Sequence, residues 1–176
     1  MTRLFLDCEW ADNIGSELVS LALVSEDDRY RFYAELSPLP AHPTPFVRHV
    51  IYPSLERGHH ARKAAELTRE LRMFLTRVPQ PHVLYDYPVD GVLFRYALDG
   101  FELDDVALAQ MPTAPSVEST LIRERDAVRL QMDRYFSAHP DRARRRHHPL
   151  ADAEALRWAF LQLLGDLPEG GSDGAK

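Results

Sequence analysis

Cysteine is almost missing: Cys8 is the single one in 176 residues. That excludes an internal disulfide framework and a zinc site built from thiolates. No stretch approaches the roughly 20 apolar residues needed to cross a bilayer, and the N-terminus lacks the basic-then-apolar form of a secretion signal. The expectation is a cytoplasmic protein with no membrane partner. An excess of basic charge is missing too, since 27 Asp and Glu outnumber 21 Lys and Arg for a formal charge of −6. A passive nucleic-acid coat works by phosphate neutralisation and is usually basic, so that class is disfavoured. An enzyme whose acids are balanced by bound metal ions is not. Internal repeats are also absent. What remains is 45% hydrophobic and 27% charged, ordinary for one globular domain. A single domain is expected over 1–164, with a glycine-rich, disordered tail over 165–176.

The chain is organised around Leu4-Phe5-Leu6-Asp7-Cys8-Glu9-Trp10. The apolar run at its start has the pattern of a strand buried on both faces. Residues two apart in a strand share a face, so Asp7 and Glu9 stand side by side. Two like charges in a poorly solvated place are unfavourable unless a cation shares them. The alternative is a strand that ends at Asp7 and leaves both acids in water.

Glu17 to Val24 and Tyr30 to Leu36 read as two further strands, joined by polar turns into a meander. Four prolines between Ser37 and Phe46 make a surface excursion, and a short helix is expected before Pro53. Leu67, Leu71, Phe74, Leu75 and Val78 form one helical stripe over 61–78. His59 and His60 precede that helix, as metal ligands or as exposed histidines. Residues 81–87 read as a fourth strand and 89–98 as a helix closed by Gly100, with Asp90 in its first turn, where the helix dipole alone favours an acid. A fifth strand is expected within 101–111 and a helix over 116–136. The Arg-rich loop 137–146 leads to His147-His148-Pro149-Leu150-Ala151-Asp152, which opens a last helix to about Leu164 with Pro149 in its first turn.

Asp7 and Glu9, Asp90, and Asp152 with His147 thus fall at the ends of core elements. LFLDCEW followed by ELVSLALV, VLYDYPVDGVLF, and HHPLADA together resemble the three motifs of the DEDD superfamily of 3′→5′ exonucleases. The branch is the one with an active-site histidine, and small stand-alone bacterial exoribonucleases are the most similar group. The resemblance covers about Leu4 to Leu164. It implies an α/β, RNase H-like fold with a central mixed five-stranded sheet flanked by helices. It also implies hydrolysis of single-stranded RNA or DNA to nucleoside 5′-monophosphates. Asp7, Glu9, Asp90 and Asp152 would hold two divalent cations, Mg²⁺ or Mn²⁺, and His147 would be the general base. Such ions take oxygen ligands and, about 3.5–4 Å apart, serve both the attacking water and the leaving oxygen.

Two departures keep alternatives open. Asp86 stands where many members carry asparagine, so it either adds charge at the site or replaces Asp90. His147 and His148 are adjacent, and His148 either packs nearby or contacts a phosphate. Trp10 is placed to stack on a terminal base or to join the core. Arg142, Arg144, Arg145 and Arg146 guide a phosphate backbone or form a solvated loop. The rival functions are a DNA exonuclease of repair or proofreading, a catalytically inert nucleic-acid-binding module, and a zinc hydrolase on His59-His60 and His147-His148. A homodimer is compatible with small members of the family, although no interface is legible in the sequence.

Overall fold

The computed structural model of the protein describes residues 1–165; the expected tail over 165–176 lies, apart from Gly165, outside them. A six-stranded mixed sheet is flanked by helices on both faces. Its strands are β1 (Thr2–Trp10), β2 (Leu18–Ser25), β3 (Arg31–Leu36), β4 (Ala61–Arg62), β5 (Pro81–Tyr85) and β6 (Glu118–Leu121), in the order β4-β3-β2-β1-β5-β6. The meander β1-β2-β3 is antiparallel, whereas β5 joins β1, β6 joins β5 and β4 joins β3 in parallel. The helices are α1 (Tyr52–Ser54, continuing a π-helical turn Val47–Ile51), α2 (Ala64–Arg77), α3 (Pro88–Asp99), α4 (Asp105–Ala109), α5 (Arg125–Ala138), α6 (Pro140–Ala143) and α7 (Pro149–Leu164). Among the described residues, no helix is long and apolar enough to cross a membrane.

β1 is central, and its alternation sorts its residues between two layers. Leu4, Leu6 and Cys8 join the core with Leu67, Leu71 and Phe74 of α2 and Leu93 and Phe94 of α3. Phe5 faces the other way, onto Leu156, Ala159 and Phe160 of α7 and Val128 of α5. Asp7 and Glu9 follow Phe5 by even steps and share its face. They lie inside the strand, which does not stop at Asp7. Opposite them in β2 stand Ala22 and Ser20, small residues that leave room above the sheet. α7 crosses there with Ala153 packed on Ala22 and Val24 and Ala159 on Phe5. Small residues let helix and sheet approach closely, which brings the first turn of α7 to the two acids.

Four expectations are corrected. The sheet has six strands rather than five. Residues 101–111 hold α4, not a strand, because Asp104 caps it by accepting the Ala107 amide at 2.8 Å. The helix expected over 116–136 begins only at Arg125, and Glu118–Leu121 forms β6 along β5. That strand is short and polar, with alternating partial burial. Its existence depends on the unpaired edge of β5, which lies over 30 residues away in the chain. The two-residue β4 likewise precedes α2 where a helix start was expected.

Candidate active site

β1 runs past β5: pairing ends at Phe5 with Leu84, while β1 continues to Trp10. The Cys8 amide beyond that point has no strand partner on this side, and it donates to Asp90 Oδ1 at 3.3 Å. Asp90 reaches it from the first turn of α3, where Pro88 starts the helix and the dipole favours a carboxylate. Gly91 follows with no room for a side chain, since a Cβ there would meet the Tyr85 ring at 2.4 Å. Asp152 enters from α7 and accepts the His147 amide on Oδ2 at 3.0 Å.

Asp7, Glu9, Asp90 and Asp152 are therefore brought together from three separate segments, and their electrostatics show it. Burial, then Asp152, Asp90, Glu9 and Asp86 in that order, hold the Asp7 carboxyl well above the usual range. Glu9 is raised by burial and by Asp152 and Asp90. Asp90 is raised by burial and by Asp86 against the opposing Cys8 hydrogen bond. Burial pushes Asp152 up to about 7 although the His147 amide and Arg146 oppose it. Asp7 Oδ2 and Asp152 Oδ1 are buried and receive no hydrogen bond from the protein. Buried anionic oxygens without donors are costly unless a cation compensates them. The donors are hard carboxylate oxygens plus one imidazole, a set that fits Mg²⁺ or Mn²⁺. One ligand-capable atom from each of Glu9, His147 and Asp152 lies within 4.8 Å of the others. Among the described residues no group placed to hold a metal ion joins His59-His60 to His147-His148.

Asp86 lies beside the acids, where its charge helps to raise Asp7 and Asp90. Its carboxyl is raised by burial, against the pull of Arg125 and Arg129, and it lines a cleft beside the acids rather than capping β1.

The two histidines have opposite fates. His147 is half-buried at φ +68°, a left-handed conformation that disfavours any residue but glycine. Its ring meets the edge of Phe46 at 5.0 Å, and burial and Arg146 keep it below the ordinary imidazole range. Both causes favour its neutral, proton-accepting form. His148 is fully buried and caps α7, its Nδ1 accepting the Leu150 amide at 3.3 Å. It packs on the Tyr33 ring at 4.7 Å, and burial and Arg145 push it down to about 4. With no exposed surface it has no access to substrate, so the substrate-binding place expected for it is corrected to one of packing.

Trp10 stands where β1 shifts register and stacks on Tyr87 at 5.6 Å, half-buried. The far side of the pair carries Arg125, whose guanidinium lies 4.8 Å from the Tyr87 ring centroid. A cleft of about 250 Å³ runs from Asp152 and His147 past Asp86 and Tyr87 to Arg125, Arg129 and Arg146. Of the loop arginines only Arg146 lines it; Arg142 pairs with Glu154, Arg144 with Asp141 and Arg145 with Glu56. Arg125 and Arg129, which the sequence reasoning missed, supply the basic wall instead. Their i,i+4 spacing on one helix is visible in the sequence, but only the packing of α5 against α7 brings it to the cleft. His59 and His60 stack on each other at 3.9 Å away from the acids, with His60 Nε2 on Glu56 Oε2 at 3.0 Å. No protein-family model matches the chain, and no curated protein matches it significantly.

Proposed function

We propose that the protein is a metal-dependent 3′→5′ exonuclease of the DEDD type, its mixed sheet and flanking helices an RNase H-like fold. It acts on single-stranded nucleic acid, RNA in preference to DNA, as a cytoplasmic enzyme releasing nucleoside 5′-monophosphates. The observation that carries this reading is that ligand-capable atoms of Glu9, His147 and Asp152 stand within 4.8 Å of one another, with Asp7 and Asp90 close enough to raise and be raised by the same acids. Those carboxylates would hold two Mg²⁺ or Mn²⁺ ions. When bound, such ions supply charge neutralisation at a phosphate and a lowered pKa for water.

The remaining work falls to the chain's own groups. His147, neutral and beside the acids, takes the proton of the attacking water. Asp90, tied to the Cys8 amide, keeps its carboxylate aimed at the cluster. Trp10, backed on one face by Tyr87, would offer its other face to a base without reading sequence. The basic wall of the cleft follows the phosphates.

The test is degradation of 5′-labelled single-stranded RNA and DNA with Mg²⁺, Mn²⁺ or EDTA. A ladder shortening from the 3′ end, lost in EDTA and in Asp7→Ala, supports the reading. An intact label in both metals, with folded protein, sinks it in favour of an inert binding module. For the cleft, the Arg125→Ala, Arg129→Ala double variant should raise KM about 10-fold and flatten the salt dependence of kcat/KM by roughly 0.7 logarithmic units per arginine. An unmoved KM would remove these arginines from substrate binding.

A further inference from the structure

The turn that carries His147 is anchored on both sides by its neighbours. Arg146 reaches α5, donating to Asp133 Oδ1 at 2.8 Å and lying 5.3 Å from the Phe136 ring centroid. Arg145 reaches the opposite way, to Glu56 Oε1, and its guanidinium lies 3.0 Å from His148 Nε2. Glu56 is itself firmly placed. Its amide donates to Glu35 Oε1 at 2.7 Å, and its second carboxylate oxygen meets His60. Glu35 is fully buried and also accepts the Tyr33 hydroxyl at 2.5 Å and the Arg57 amide at 3.0 Å. Tyr33 in turn packs against His148. A continuous path of contacts thus runs from the buried edge of β3 through Glu56 and Arg145 to the residues on either side of His147.

We infer that the Glu56–Arg145 ion pair is a latch that holds the His147 imidazole over the carboxylate cluster. Glu56 and Arg145 are positioning residues, because neither touches the acids. The inference rests on the reading of His147 as the base. Its physical ground is the backbone at φ +68°: a conformation disfavoured for a histidine persists only where its surroundings over-determine it. The latch pair is 38–39% exposed in its side chains, and ion pairs that exposed contribute little to global stability. Its loss therefore appears in the placement of His147 rather than in folding.

The experiment uses the full chain with Glu56→Gln, Arg145→Gln and the double variant. It reads the His147 imidazole signals by NMR, assigned by their loss in His147→Gly, together with kcat and KM. Breaking the latch should shift and broaden the His147 signals while Mg²⁺-induced thermal stabilisation stays as in wild type. Misplacing a general base should lower kcat about 10- to 100-fold with KM within about twofold, and the double variant should be no worse than either single one. His147 signals unmoved in Glu56→Gln overturn the latch whatever the activity, as do single effects on kcat that multiply in the double variant. A wild-type protein without hydrolysis overturns the exonuclease reading, while the NMR signals still decide the latch.

Discussion

Asp7→Asn should abolish hydrolysis and, at the same time, make the metal-free protein more stable. Asp7 lies at the centre of the cluster, raised by burial and by four other carboxylates, and its Oδ2 receives no hydrogen bond. An amide of the same shape removes one buried charge from that repulsion but cannot serve a hard cation as a carboxylate does. Activity should fall at least about 1,000-fold, the order expected when a central electrostatic element of a metal site is lost. Relief of ~2 kcal/mol of repulsion raises Tm by about 4–8 °C in a chain of this size. Calorimetry at pH 8 in EDTA reads the shift, and a Tm that falls with activity would mean that Asp7 is structural.

The same repulsion fixes the sign of the pH dependence. Asp7, Glu9, Asp90 and Asp152 all have folded values above their ordinary ones, Asp152 at about 7. Between the unfolded carboxylate value near 4 and those folded values, the folded state binds more protons than the unfolded one. Stability without metal therefore falls as pH rises through that window. Added Mg²⁺ or Mn²⁺ restores it at the upper end by binding the folded state, and Asp7→Asn flattens both effects.

His147→Gly should separate catalysis from folding in the same manner. Histidine at φ +68° carries a conformational cost that glycine lacks, about 1–2 kcal/mol. The variant should therefore keep or slightly raise Tm while losing the proton acceptor, with kcat down about 100- to 10,000-fold. Since half-burial and Arg146 hold this imidazole below its ordinary range, wild-type kcat should stay flat as pH rises above 7 as far as this group decides it. Retained activity in the glycine variant would transfer the role of base elsewhere.

The elements that sequence patterning located well are those whose cues are local. β1, β2, β3 and β5 announce themselves by apolar runs between polar turns, and α7 by Pro149 and its alanine-leucine stripe. Asp7 and Glu9 could be put on one face by strand alternation alone. The segment 101–122 resisted because its cues conflict: Asp104 caps a short helix inside an apolar stretch, and Glu118–Leu121 is a strand without apolar alternation. Arg125 and Arg129 stand at i,i+4 in the sequence, but their place at the cleft depends on how α5 packs.

By itself the sequence determined which residues carry charge, where the apolar strands lie, and that Asp7 and Glu9 share one face of the first of them. Tertiary structure alone decided which charged residues meet. Asp90 rather than Asp86 accepts the Cys8 amide left unpaired where β1 outruns β5. His147 and His148, adjacent in the sequence, are divided because one backbone turns left-handed beside Asp152 while the other ring caps α7 against Tyr33. The basic wall comes from Arg125 and Arg129 of α5 with Arg146 alone from the Arg-rich loop, while Arg142, Arg144 and Arg145 pair with acids outside the cleft. Each choice depends on a partner distant in the chain, and short-range periodicity carries no information about such partners.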